Sequence, residues 1–277
     1  MPLLKNINPI DRFLGLFIGR SGSGKTAAAL SFPKPLKVLD LDGRIRGGIV
    51  PWNDLDGIEY TFIPSKPDKG TVFDLLNNEF SVLDINSKKG DSDLQTLVFD
   101  SLTWGANDLL LDAIPLTHKP GSASDGRGRS IGTMQVAGPD DYKFQSTGIV
   151  QILAFLKSLK IPNIILTANI VNRWGRPKDQ TGKIIDPYGP SEVVGEQLVL
   201  TDKISETAPS AFDNIFKFEK IDTGRELKFY FSAQGDLARN TLGIEYGNLD
   251  ITGVNFYNLL QTKLVQPQAQ TTTTKGV

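Results

Sequence analysis

The sequence predicts an α/β protein built on a mostly parallel central sheet, and three observations carry that prediction. Short apolar runs recur at Phe13–Ile18, Leu36–Leu41, Leu97–Phe99 and Ile164–Ala168, as strands buried on both faces of a parallel sheet read. Segments with helical spacing lie between them, at Thr71–Leu83, Trp104–Ile114 and Tyr142–Leu159. The first run opens directly onto Gly19-Arg20-Ser21-Gly22-Ser23-Gly24-Lys25-Thr26, which matches G-x-x-x-x-G-K-[ST] without deviation.

That motif sits between a strand and a helix former, Thr26–Ser31, which stops before Pro33. Backbone N–H groups of Ser21 to Lys25 then curl into a nest for anions, and the start of the helix adds unpaired donors. A polyphosphate fits such a nest. Gly22 and Gly24 supply positive φ and let the chain pass close to phosphate oxygens. Lys25 is expected to reach the β- and γ-phosphates and the Thr26 hydroxyl to hold Mg²⁺. Gly19, Ser21, Gly22, Ser23, Gly24, Lys25 and Thr26 are therefore the expected binding residues, with a nucleoside triphosphate and Mg²⁺ as ligands.

Composition narrows the chemistry. A chain of 277 residues, 39% of them hydrophobic, can bury a full core and fits one elaborated α/β domain, expected over residues 1–264. A net charge of -1 gives no global attraction to nucleic acid or membrane, so any such binding must be local. There is no cysteine, and His118 is the single histidine, which argues against disulfides, thiolate sites, a cysteine nucleophile and a histidine zinc site. No apolar run approaches a membrane span and no signal-peptide core is present, so no membrane contact and a cytoplasmic location are expected. About a dozen residues precede the first strand, and no domain is expected upstream of it.

Downstream, Leu36–Gly43 reads as a strand ending in Asp40 and Asp42. Ligands of open parallel sheets lie beyond the carboxyl ends of the strands, so either carboxylate can direct water or support a metal, or both can belong to a solvated turn. Ile58–Ile63 alternates as a further strand, and Ser87–Asp93 reads as a polar loop. Leu97–Ser101 then ends in Asp100, about seventy-five residues after Lys25. An Asp at that position can hold Mg²⁺ together with Thr26.

Two irregular stretches follow, Pro115–Asp141 and Val171–Ser191. The first contains Lys119, Arg127 and Arg129. The second contains Arg173, Trp174, Arg176, Lys178 and Lys183, cations interleaved with a ring, which suits a single-stranded nucleic-acid track. A glycine-turned hairpin with a solvated basic face explains the same letters. Between the two stretches, Ile164–Asn169 is a strand whose last residue can sense a γ-phosphate or serve as a turn amide. Phe212–Phe218 and Glu226–Ser232 flank a hairpin turn, Gln234–Asn240 is a polar turn carrying Arg239, Val254–Leu264 closes as a helix, and residues 265–277 form a low-complexity tail expected to be disordered.

Placed in order, these segments resemble the RecA-like ATPase core and, more narrowly, the phage-encoded RecA-like ATPases that include single-strand annealing proteins. The narrower resemblance is carried by Gly19–Thr26, Leu39–Gly43, Val98–Ser101, Asp141-Tyr142, Leu166–Asn169, Phe212-Asp213 and Ala238–Asn240. It implies a RecA-like P-loop core with antiparallel strands toward the C-terminus, and an ATPase acting on single-stranded DNA in recombination, annealing or repair. It implies Asp42 as catalytic carboxylate, Asn169 as γ-phosphate sensor, and Arg239 as a cation reaching a neighbouring subunit's ATP. The loops at Lys119–Arg129 and Arg173–Lys183 match DNA-facing loops by position. Single-stranded DNA, a head-to-tail homo-oligomer and a single-strand-binding protein are the implied partners. RecA itself carries Glu at the catalytic position, so the shorter Asp42 implies slow hydrolysis. The alternatives are a nucleotide-switched interaction or DNA-packaging protein without efficient hydrolysis, and a P-loop small-molecule kinase.

Overall fold

The structure, a computed structural model, describes residues 12–51, 53–89, 93–117, 137–176, 181, 184–185, 190–224, 226–235, 237–244 and 247–265. Its elements run β1 (Phe13–Gly19), α1 (Lys25–Ala29), β2 (Leu36–Asp40), β3 (Ile58–Phe62), α2 (Val72–Lys89), β4 (Thr96–Asp100), α3 (Leu102–Thr117), α4 (Pro139–Ser158), β5 (Asn163–Gly175), β6 (Glu192–Leu198), α5 (Asp202–Thr207), β7 (Asn214–Asp222), β8 (Leu227–Ser232), β9 (Leu249–Asp250) and α6 (Phe256–Val265). Short 3-10 turns occupy Ile45–Gly48 and Ala208–Ala211.

One sheet organises them, in the order β3-β2-β4-β5-β1-β7-β8-β9, with β6 pairing the outer half of β5. The pairs from β3 through β7 along this order are parallel, and the additions of β8, β9 and β6 are antiparallel. This is the α/β fold that the sequence predicts, with its parallel centre and its antiparallel C-terminal side. β5 is inserted between β1, which delivers the phosphate-loop motif, and β4, which ends in Asp100.

The period-2 alternation of the central strands sorts their side chains onto two cores. Leu14, Leu16 and Ile18 of β1, Leu97 and Phe99 of β4, and Ile164, Leu166 and Ala168 of β5 face one core, which also takes Leu76 and Phe80 of α2, Leu109 of α3 and Ile149 and Ile152 of α4. Phe13, Phe17, Val38, Val98 and Ile165 face the other, with Ala28 and Ala29 of α1 and Phe256 of α6. Rings from distant segments meet there: Phe17 lies 5.0 Å from Phe218 and 5.6 Å from Phe256 between centroids. Fully burying one such side chain contributes about 1.5–3 kcal/mol, so the sheet's central strands are held from both sides.

The structure departs from the sequence reading in several places. Residues Ser87–Lys89, read as loop, complete α2. α3 runs through Pro115 to Thr117, although the proline there cannot donate to the carbonyl four residues earlier. α4 starts at Pro139, where the Asp141 carboxylate accepts the Gly138 N–H at 2.7 Å. The main correction concerns Val171–Ser191. It is not irregular throughout, since β5 continues to Gly175 and pairs with β6, Val171 opposite Gln197 and Trp174 opposite Val193. Beyond Ile170 the strand leaves both cores, so no face requires apolar residues and the alternation that marks a strand is lost. α5 and the two-residue β9 are also absent from the sequence reading. Among the described residues, no helix is long and apolar enough to cross a membrane.

Candidate nucleotide-binding site

The same alternation that builds the cores builds the site. On β2, β4 and β5 the residues continuing the α1-facing row toward the carboxyl ends are polar: Asp40 after Val38, Asp100 after Val98, Thr167 and Asn169 after Ile165. Register then aligns them, Asp40 opposite Asp100, Phe17 opposite Thr167 and Gly19 opposite Asn169. The loop after β1 turns across these strand ends, with Gly22 at φ 75° and Gly24 at φ 93°, conformations that cost a residue with a Cβ on the order of 1 kcal/mol or more. At Gly24 a Cβ would also stand 3.2 Å from Phe229.

Five side chains converge under the loop. The Thr26 hydroxyl donates to Asp100 Oδ2 at 2.8 Å, and the Thr167 hydroxyl donates to Asp100 Oδ1. Lys25 Nζ donates to the carbonyls of Gly19 and Arg20, both at 2.9 Å, and to Asn169 Oδ1 at 3.1 Å. The Asn169 N–H is itself held by Thr103 Oγ1 at 2.9 Å. Lys25 and Asp100 are buried. Burial pulls the Lys25 ammonium down to about 8, against the opposing charges of Asp100 and Asp42. Burial likewise pushes Asp100 up, opposed by the hydrogen bonds from Thr167 and Thr26.

The two candidate carboxylates of β2 do different work. Asp40 is buried, and its oxygens accept from the N–H groups of Asp42 (3.1 Å), Gly43 (2.9 Å) and Ile45 (3.4 Å) and from the Tyr60 hydroxyl (3.3 Å). It holds the turn. Asp42 is half-buried and faces the cleft, where its Oδ1 accepts from the Arg44 N–H at 2.8 Å. Burial, then the neighbouring Asp100 charge, push Asp42 up to about 6. Ligand oxygens of Asp40, Asp42 and Asp100 lie within 4.8 Å of one another. With Thr26, this all-oxygen donor set suits a hard divalent cation such as Mg²⁺.

A cleft of about 240 Å³ opens above these groups. One side is the phosphate loop with Asp42, Arg44, Asp100, Ser101, Thr167 and Asn169. The other is apolar, formed by Phe229, Ile251, Val254 and Phe256. Arg44, Thr167 and the apolar wall escaped the sequence reading. Thr167 was visible as a polar break in an apolar run, but nothing local pairs its strand with that of Asp100.

Several expected site residues lie elsewhere. Arg239 is not brought to its own chain's cleft: its guanidinium donates to the carbonyls of Pro209 (2.6 Å) and Phe212 (3.1 Å), and its backbone bridges Ile215 near the amino ends of the parallel strands. Arg173 and Trp174 extend from the end of β5, with Arg176 just beyond, and all three are exposed, Trp174 by 65%. That arm is tied to the phosphate loop by Arg20, which donates to Asn172 Oδ1 at 2.7 Å. Lys119, Arg127, Arg129, Lys178 and Lys183 lie outside the described residues, as does the tail beyond residue 265.

No protein-family model matches the chain, and no curated protein matches it significantly. Among solved structures, the flagellar accessory protein FlaH from Methanocaldococcus jannaschii is similar over 87% of this chain and 86% of that one, at 12% identity and a TM-score of 0.38.

Proposed function

We propose that this chain is a Mg-ATP-dependent P-loop ATPase that acts on single-stranded DNA in phage-type recombination, annealing or repair. The observation that carries the ATPase reading is the Lys25–Asn169 and Thr26–Asp100 pair of contacts beneath a loop with the backbone of an anion nest. In this reading the loop amides and Lys25 grip the phosphates, and Thr26 and Asp100 hold Mg²⁺. The ion supplies charge neutralisation on the β- and γ-oxygens when bound. Asp42 directs the attacking water, Asp40 fixes the turn that presents it, and Asn169 senses the γ-phosphate. The base stacks on Phe229 against Ile251 and Val254.

The DNA reading is supported by the arm. Arg173 and Arg176 offer cations and Trp174 an open ring face, at the far end of the strand that carries Asn169 and Asn172. A γ-phosphate that draws Lys25 away from Asn169 acts on the same strand that presents the arm, which links nucleotide state to DNA grip. Lys119, Arg127, Arg129, Lys178 and Lys183 would extend the basic track. A head-to-tail neighbour would receive Arg239, and a single-strand-binding protein would share the DNA.

Phosphate release from ATP, measured with and without single-stranded DNA, tests the proposal: stimulation by DNA is expected. ATP binding with no turnover under either condition favours a nucleotide-switched interaction or packaging protein, a reading that the short Asp42 side chain also permits. For a small-molecule kinase several lid arginines are needed, whereas among the described residues the cations lining the cleft are Lys25 and Arg44.

A further inference from the structure

Arg44 occupies a position that its sequence context does not announce. Its backbone N–H is bonded to Asp42, its guanidinium carbon lies 5.8 Å from the centroid of the Trp104 ring, and its Nη1 donates to Ser21 Oγ at 3.4 Å. Three elements therefore fix it: the turn after β2, the first turn of α3, and the phosphate loop. The Trp104 backbone is held in turn by Ser101, whose Oγ accepts its main-chain N–H at 3.4 Å. Arg44 lines the cleft together with Asp42, Asp100 and Thr26, the cluster beside which a terminal phosphate would lie.

We propose that Arg44 is a catalytic residue supplied within the chain, its guanidinium contacting the γ-phosphate oxygens as charge builds on them. The proposal rests on the ATPase reading above. In that reaction the water oxygen bonds to the γ-phosphorus while the bond from that phosphorus to the bridging oxygen breaks. The electron pair leaves on ADP, and the water proton passes to Asp42. Arg44 takes no proton; its planar fork spreads positive charge over two equatorial oxygens, which an ammonium does less well. The Trp104 face holds that plane in register.

The test uses the full chain, with Arg44→Ala, Arg44→Lys and Trp104→Leu. Single-turnover phosphate release is expected to fall about a thousandfold in Arg44→Ala, with ADP affinity by calorimetry kept within about threefold of wild type. Capture of ADP with aluminium fluoride is expected to be lost, Arg44→Lys to recover only part of the rate, and Trp104→Leu to lower the rate about tenfold without weakening ADP. Turnover within about threefold of wild type in Arg44→Ala overturns the assignment, as does an ADP affinity that falls in step with turnover. Wild-type protein that binds ATP but never releases phosphate removes the ATPase reading and this role together. An Arg44→Ala variant that turns over as fast as an active wild type removes this role alone.

Discussion

Thr26, in the helix that follows β1, and Asp100, at the end of β4, meet at 2.8 Å although β5 stands between β1 and β4. A hydroxyl two residues past the loop's last glycine and a carboxylate at the end of a distant strand thus present their oxygens to one point. Asp100→Asn keeps the shape and removes the charge. The magnesium concentration for half-maximal ATP turnover should rise about 10–100-fold, while nucleotide binding in EDTA stays unchanged. An unaltered magnesium dependence contradicts the metal role.

The depressed Lys25 ammonium gives nucleotide binding a pH signature. Its value in the free protein is about 8, set first by burial, and a bound polyphosphate raises it again. Binding therefore favours the protonated form. Affinity should be full below pH 8 and fall by about tenfold per unit above it. Calorimetry in buffers of different ionisation heat should report proton uptake on binding near pH 8.5, and proton release there contradicts the account.

Much of this was legible from letters alone, and the reason is locality. The phosphate loop is one contiguous stretch whose backbone needs dictate its residues, and Asp100 and Asn169 are found because buried parallel strands end where their apolar runs end. That Thr167, Arg44 and Phe229 line one cleft was not legible, because it depends on which elements are neighbours, and strand order is not written in any local pattern. Asp40 and Asp42 looked equivalent, and only the turn geometry separates the one that holds amides from the one that faces the cleft. The arm was hidden for the opposite reason, since a strand outside both cores obeys no hydrophobic period.

Asp108 of α3 predicts a stability effect away from the site. It is 1% exposed, and burial pushes its carboxyl up to about 6, against a smaller pull from the Ser65 hydroxyl. An acid with a raised value in the folded state makes the fold less stable as pH climbs from about 4 to about 6, because the folded chain binds the proton more tightly. Asp108→Asn should therefore be more stable than wild type at pH 8, by on the order of 1 kcal/mol, and the gap should close near pH 4. Thermal melts of both proteins at the two pH values check this; a gap of equal size at both would exclude ionisation as its cause.

On the arm, exchanging Arg173, Arg176 and Lys178 for Ala should weaken single-stranded DNA binding and reduce the slope of log affinity against log salt by about 2. Trp174→Ala should cost about 1–3 kcal/mol of binding with little change in that slope. Fluorescence anisotropy over a salt series separates the two effects. Binding that ignores the triple change places the DNA elsewhere.

The central claim is that main-chain amides and Lys25 grip a nucleoside triphosphate, and the most direct measurement of it is the equilibrium binding of ATP to wild-type protein and to Lys25→Ala. The account predicts saturable binding in the first and none measurable in the second, with the two proteins melting alike in the absence of nucleotide. Equal ATP affinity in both would contradict it.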